Sequence, residues 1–250
     1  MQIEIHPDPD KANRTAADYL ARRLTAPETR TLMVAGGNTP LELYRLLAQR
    51  SLSLGQLHVF ALDEYIGVPS EDPRTTANLL RRTVAAAWGI PPDRFHAVSS
   101  REDDALKSIR EHERRIEAFD GLDVLVLGLG QNGHLGFNEP GSAPDSSGRV
   151  VDLEPASVTA NRAWFGGDYA PARGVTAGLK MILSATAIVI LAYGKNKTDA
   201  VASMVEGPRC AACPASWLQD RPNVTAFLDE AAAARLGKSK PRFGKPQRRF

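Results

Sequence analysis

Three short segments hold residue types and spacings that could do chemistry. The first, Ala35-Gly36-Gly37-Asn38-Thr39-Pro40, follows an apolar run and opens a stretch of helical periodicity with Pro40 near its first turn. Glycines let the backbone approach a ligand, and the unpaired amides at a helix start favour a phosphate. Gly36, Gly37, Asn38 and Thr39 are therefore a candidate anion cradle. Taken alone, the segment suits a capped glycine turn equally well. It carries neither Gly-x-Gly-x-x-Gly nor Gly-Lys-Ser/Thr, so it is neither a dinucleotide fingerprint nor a nucleotide P-loop.

The second segment, Leu62-Asp63-Glu64-Tyr65-Ile66-Gly67, sets two adjacent carboxylates at the end of an apolar run. Neighbours on an extended chain point to opposite sides, so at most one of the two faces a given pocket, and Asp63 is the expected one. A carboxylate beside a substrate carbon can carry a proton between neighbouring carbons, as aldose-ketose isomerisation requires. The bland alternative is a turn or helix-cap acid. The third segment runs from Leu127 to Pro140 and contains Asn132-Gly133-His134 and Phe137-Asn138-Glu139-Pro140. Glycines on both sides of His134 bring the backbone near a ligand, and Glu139 supplies a charge able to orient the imidazole.

These segments need a scaffold that brings strand ends together. Apolar runs at Thr31 to Ala35, Leu57 to Leu62, Asp123 to Gly128, Thr186 to Ala192 and Asn223 to Leu228 read as strands. Helical periodicity marks Asp10 to Leu24, Pro40 to Gln49, Thr75 to Trp88, Asp103 to Ala118, Asn196 to Val205 and Glu230 to Leu236. The alternation predicts an α/β fold, a doubly wound and mostly parallel sheet with helices on both faces. Such sheets bind ligands past the carboxyl ends of their strands, where all three segments lie.

With 250 residues, 43% of them hydrophobic, the chain is long enough for one large core. The reading is a single α/β domain over residues 1–236, followed by a basic, solvated tail over 237–250. Lys and Arg total 31 against 29 Asp and Glu, so attraction to anions must come from local placement, and no nucleic-acid partner is expected. The first residues lack a basic stretch leading into an apolar one, and no segment approaches the roughly 18 apolar residues of a membrane span. The expectation is a cytoplasmic protein with no membrane partner. Cys210 and Cys213 form a Cys-Ala-Ala-Cys pair without the further ligands that zinc needs, and are read as reduced thiols.

In order along nearly the whole chain, the motifs resemble the glucosamine-6-phosphate deaminase family, within the wider group that holds the 6-phosphogluconolactonases. The resemblance rests on Gly36-Gly37-x-Thr39-Pro40, Leu62-Asp63-Glu64-Tyr65-x-Gly67 and Gly128-x-Gly130-x-x-Gly133-His134-x-x-Phe137-Asn138-Glu139-Pro140, then on Gly174-Val175-Thr176-Ala177-Gly178, Gly194-x-x-Lys197 and Val205-Glu206-Gly207. Phe137-Asn138-Glu139-Pro140 looks like the deaminase version, where a lactonase would follow its Gly-His with a Thr-Ala-Ser-type segment. The resemblance implies a proton-transferring aspartate at Asp63, a ring-opening histidine at His134, a supporting glutamate at Glu139, and phosphate contacts from the glycine loop and Lys197. It implies a small sugar phosphate as substrate, without metal or organic cofactor, and it leaves open an association between copies, since the fold occurs in monomers and oligomers.

Two positions depart from the pattern. Where the family usually has Asp-Gly-His this chain has Asn132, which can hydrogen-bond an imidazole or a sugar hydroxyl but cannot stabilise an imidazolium by charge. A phosphate arginine is expected in an Asn-x-Arg-Phe-Phe type segment, but the chain reads Asn161-Arg162-Ala163-Trp164-Phe165, which makes the shifted Arg162 the candidate. The expected reaction is conversion of glucosamine 6-phosphate to fructose 6-phosphate and ammonia. The alternatives are a galactosamine 6-phosphate isomerase or deaminase, a 6-phosphogluconolactonase, and a sugar-phosphate sensor without turnover.

Overall fold

The computed structural model describes residues 1–167 and 169–237. The basic tail read at 237–250 thus lies, past Gly237, outside the described residues. The chain runs β1 (Gln2–His6), α1 (Pro9–Leu24), β2 (Thr31–Val34), α2 (Leu41–Ala48), β3 (His58–Ala61), β4 (Asp63–Tyr65), α3 (Thr76–Leu80), β5 (Phe95–His96), α4 (Glu102–Ala118), β6 (Val124–Gly128), β7 (Arg149–Asp152), α5 (Pro155–Asn161), β8 (Arg173–Thr176), α6 (Leu179–Ser184), β9 (Ala187–Ala192), α7 (Thr198–Glu206) and β10 (Val224–Asp229).

A 7-stranded sheet has the order β1-β10-β9-β6-β2-β3-β5, and every neighbouring pair in it is parallel. All residues of β2, β9 and β10 are buried, so the sheet is covered on both faces, as crossover connections require. Local rules shape the crossovers. Asp8 caps α1 by accepting the amide of Lys11 at 2.8 Å, and Ala12, Ala16, Leu20 and Leu24 form the buried stripe of that helix.

The winding direction reverses between β2 and β6. From β2 the chain moves outward through β3 to β5, and from β6 outward through β9 to β10. A crevice opens at such a switch point, past the carboxyl ends of the two strands. There the Ala35–Thr39 turn meets the Gly128–His134 turn, and Thr39 Cβ stands 3.8 Å from where a side chain on Gly128 would begin.

The strands expected from apolar runs are β2, β3, β6, β9 and β10. The edge strands β1 and β5 were not anticipated, nor was a separate 3-stranded antiparallel sheet of order β4-β8-β7. Thr75 to Trp88 is not one helix: α3 passes into a wider π turn at Arg81–Ala86, beyond which Trp88 packs edge-on against Tyr44 with ring centroids 5.7 Å apart. Glu230 to Leu236 forms turns instead of a helix. There the Asp229 carboxylate takes the amides of Gly194 and Ala232, and Glu230 donates its amide to His6 O. Among the described residues no helix is long and apolar enough to cross a membrane.

Candidate active site

A cavity of about 440 Å³ fills the crevice, a size that suits a small ligand. Its floor is the glycine turn after β2. Tyr44 in α2, fully buried, donates its hydroxyl to Ala35 O at 2.8 Å, and Trp88 Nε1 donates to Tyr44 O at 3.0 Å. Gly37 adopts φ +82, which a side chain would strain. Among the described residues, no protein acceptor takes the amides of Gly36, Gly37, Asn38 or Thr39. Gly36, Gly37, Asn38 and Thr39 all line the cavity, so these donors are available to a ligand.

Strand β4 forms one wall, and its alternation separates the two acids. Asp63 and Tyr65 line the cavity. Glu64 turns away and caps α3, accepting the amides of Tyr65 at 2.8 Å, Thr76 at 2.9 Å and Ala77 at 2.8 Å. Burial, with the Glu64 charge next to it, pushes the Asp63 carboxyl up to about 7. Burial also raises Glu64 to about 7, against the pull of its amide partners. Three amides stabilise the charge on Glu64 and no hydrogen bond reaches the Asp63 carboxyl among the described residues, so Asp63 is the acid that takes up a proton first. It is poised to exchange protons near neutral pH.

The turn after β6 presents His134. Its ring lies over Gly130: a Cβ there would sit 2.4 Å from the imidazole, so any side chain at 130 would displace the ring. Behind it, Glu139 is buried, with Oε2 3.2 Å from His134 Nδ1. The approach is close but poorly aligned, leaving Nδ1 without a well-formed hydrogen bond. Asn132 links the pair, donating to Glu139 Oε2 at 2.8 Å and accepting the His134 amide at 3.2 Å. Among the described residues it makes no hydrogen bond to the imidazole itself, the first of the two partners its sequence position allowed. Burial raises the Glu139 carboxyl, but the close approach of His134, then Ser157 and the Asn132 amide, more than reverse this and hold it below the usual carboxylate range. Asn132 and His134 line the cavity, whereas Glu139 acts from behind them.

The small sheet positions this turn. Thr176 in β8 pairs with Asp63 in β4 and Arg149 in β7, and its hydroxyl accepts the Phe137 amide at 3.2 Å. Asn138, fully buried, donates to Leu135 O and Ala177 O, each at 2.9 Å, and accepts from Arg149 at 2.8 Å. One sheet therefore fixes both the acid and the histidine turn. From the far side, Ala215 donates to Gly133 O at 2.9 Å, and the thiol of Cys213 packs against Gly133.

Comparison with known proteins places the chain in a family. Residues 7–227 match the family model described as glucosamine-6-phosphate isomerases/6-phosphogluconolactonase. The chain belongs to this family. A glucosamine-6-phosphate deaminase of Cutibacterium acnes is 41% identical, over 94% of this chain and 92% of its own length. One from Rhodopirellula baltica is 37% identical over 95% and 97% of the two chains. A solved monomeric glucosamine-6-phosphate deaminase superposes with a TM-score of 0.89 at 30% identity, covering 94% of this chain and 99% of that one. The 6-phosphogluconolactonase of Trypanosoma cruzi, at 22% identity and a TM-score of 0.77, shares the fold.

Within this family framework the cations of the site lie as follows. Lys197 lines the cavity; it ends a single 3-10 turn, Lys195–Lys197, that runs directly into α7, and donates from Nζ to Leu129 O at 2.6 Å. Burial lowers its ammonium from the ordinary lysine value. Arg162 is not brought to the site: it is exposed at the end of α5, and it is Asn161, Ala163 and Trp164 that line the cavity. Arg74, Thr76 and Ser157 also line it, and the strand-end reading did not select them. The available signal for Arg74 was a cation just before Thr75-Thr76, a good helix start.

Proposed function

We propose that this protein converts glucosamine 6-phosphate to fructose 6-phosphate and ammonia. The observation that carries the reading is a single cavity with Asp63 and His134 on its walls and the unclaimed amides of Gly36–Thr39 on its floor. The deaminases among its relatives, matched over nearly the whole length of each chain, support the same reaction.

In this reading His134, held by Glu139, moves the ring proton that opens the pyranose to the free aldehyde. Asp63 as carboxylate then takes the proton from C2 and delivers it to C1, while O1 gains the proton that the amino nitrogen gives up, leaving a hydroxymethyl C1 and an imine at C2. Water adds to the imine carbon, ammonia leaves with the original nitrogen, and the C2 ketone of fructose 6-phosphate remains. The phosphate is held by the glycine-turn amides and Lys197, so that remote binding fixes the reacting carbons beside Asp63. Each step uses side chains and water alone.

The test is direct. Purified protein with glucosamine 6-phosphate is expected to release ammonia and fructose 6-phosphate in equal amounts, faster than with galactosamine 6-phosphate and with no acid release from 6-phosphogluconolactone. Turnover of either alternative in preference to glucosamine 6-phosphate would refute the assignment, and tight binding with no turnover of any of the three would mark a sensor.

A further inference from the structure

The segment in which a phosphate arginine was expected does border the cavity, but it presents Asn161, Ala163 and Trp164, none of them charged. Arg74 is the one arginine among the described residues that line the cavity, and Lys197 the one lysine. Arg74 is bound to that same segment. Its Nη1 donates to Phe165 O at 3.1 Å, its guanidinium carbon stands 5.3 Å from the centre of the Phe165 ring, and Trp164 Nε1 donates to Arg74 O at 2.8 Å. We propose that Arg74 is a phosphate-binding residue of this site, supplying from the loop before α3 the guanidinium that the 161–165 segment, with Arg162 turned to solvent, does not bring to the cavity.

Three observations support a binding role over a purely structural one. The first is donor capacity. A guanidinium has five N–H groups. In Arg74, Nε and one Nη2 hydrogen go to Asp72, at 2.9 and 2.6 Å, and one Nη1 hydrogen goes to Phe165 O. Five less three leaves two donors without a partner among the described residues, on a group whose plane Asp72 and the Phe165 ring already fix, so little freedom is lost on binding. The second is location. Thr76 packs against the glycine turn, its Cγ2 2.8 Å from where a Gly36 side chain would begin, so the 74–76 loop and the cradle amides border the same part of the cavity. The third is exclusion of the other nearby anion site. The Glu64 carboxylate already occupies the first amides of α3, and an incoming dianion is directed to the glycine turn and Arg74 instead.

The assignment rests on reading the cavity as a sugar-phosphate site, and its test is chosen to stand apart from that reading. Binding of fructose 6-phosphate and of inorganic phosphate would be measured by calorimetry for the parent, Arg74→Ala and Arg74→Lys, with the unfolding midpoint of each unliganded protein. For Arg74→Ala we expect both ligands to weaken roughly 10- to 100-fold, the loss of one charge-assisted contact, with KM for glucosamine 6-phosphate rising more than kcat falls. Arg74→Lys keeps the charge without the planar fork and is expected to fall between the two; it decides the matter if the alanine variant does not fold. A lower midpoint with both affinities unchanged would make Arg74 only a latch between the loops and overturn the proposal. So would weakening of fructose 6-phosphate with inorganic phosphate unaffected, or failure of the parent to bind inorganic phosphate. Absence of ammonia release by a parent that does bind phosphate would instead count against the proposed reaction.

Discussion

Asn132 and His134 converge on the same carboxylate oxygen: Oε2 of Glu139 lies 2.8 Å from Asn132 Nδ2 and 3.2 Å from His134 Nδ1. The Asn132 amide has a defined orientation, because its Oδ1 accepts the His134 amide hydrogen. Asparagine thus donates to Glu139 at a position where an aspartate would face it as a second acceptor. Two carboxylates at that separation cannot both stay ionised cheaply, and the pair would bind a proton at a higher pH than either alone.

Asn132→Asp is therefore expected to keep activity within a few-fold above the new ionisation and to lose it more steeply on acidification, as the shared proton weakens the carboxylate's hold on His134. A pH–rate profile of kcat/KM for variant and parent checks this. Superimposable profiles would show that the Asn132–Glu139 contact has no part in tuning the histidine.

Asp63, raised to about 7 by burial and by Glu64, must be ionised to take the C2 proton. The acid limb of kcat/KM is then expected near pH 7, well above the ordinary aspartate range. Asp63→Asn should cost roughly 10²- to 10⁴-fold in kcat, the usual contribution of a positioned general base. Glu64→Gln removes the neighbouring charge and should move the acid limb to lower pH, at a stability cost of about 1–3 kcal/mol because α3 loses part of its cap. A limb that stays in place in Glu64→Gln would assign it to another group.

Gly130 is a sharper test of the histidine's placement. Alanine there would put a methyl 2.4 Å from the His134 ring, and the ring is the part able to move. Shifting it by about an ångström also breaks its approach to Glu139, and misplacement on that scale costs on the order of 10²-fold in rate. The loop's own closure, Gly130 N–H to His134 O at 3.0 Å and Gly133 N–H to Gly130 O at 3.1 Å, is untouched by the change. We expect Gly130→Ala to lose activity with a nearly unchanged unfolding midpoint, and full activity would mean that the ring position is not critical.

What the sequence made legible follows from burial. Strands such as β9 and β10, buried along their whole length, are bound to read as unbroken apolar runs, and the parallel α/β class follows from their spacing. Edge strands carry a weaker signal: Ile5 in β1 is 50% exposed, and β5 is two residues long. The antiparallel sheet was illegible because pairing over long separations, Asp63 with Thr176 and Arg149 with Thr176, sets it, and its short strands have no clear pattern of their own. Arg162 and Ala163 show how a single residue decides a site. At a helix end one step rotates a side chain by about 100°, enough to send Arg162 to solvent and leave a methyl group at the cavity. Arg74 escaped notice because it follows no strand: it reaches the cavity only because Glu64 anchors the start of α3 and the loop before it folds back.

Away from the site, a buried histidine cluster predicts how stability responds to acid. His96 Nδ1 faces the guanidinium of Arg115 at 3.0 Å and its Nε2 faces His58 Nδ1 at 3.1 Å. His96 can accept from Arg115 only when unprotonated at Nδ1, so the folded state requires it neutral. Burial, then Arg115 and His58, lower it to about 4, against smaller opposing pulls from Asp93 and Glu111. Burial likewise lowers His112 to about 4. A folded value below the unfolded one means that the unfolded chain binds more protons in between, so the stabilisation is complete above about pH 6.5 and is lost as pH falls toward 4. Asp63 acts oppositely: its raised folded value adds stability below its unfolded value of about 3.8, and this is lost as pH rises through about 7. The opposing contributions blur the parent's own profile, so the comparison must be between variants. His96→Phe keeps a ring stacked against Phe60, where the centroids are 4.5 Å apart, and removes the titration. At pH 7 it should be less stable than the parent by about 1–3 kcal/mol for the lost polar contacts. That deficit should narrow steadily in denaturant titrations taken from pH 7 down to pH 4, because only the parent still has a histidine there to protonate on unfolding. A deficit constant across the range would show that His96 is not the group whose neutrality the fold depends on.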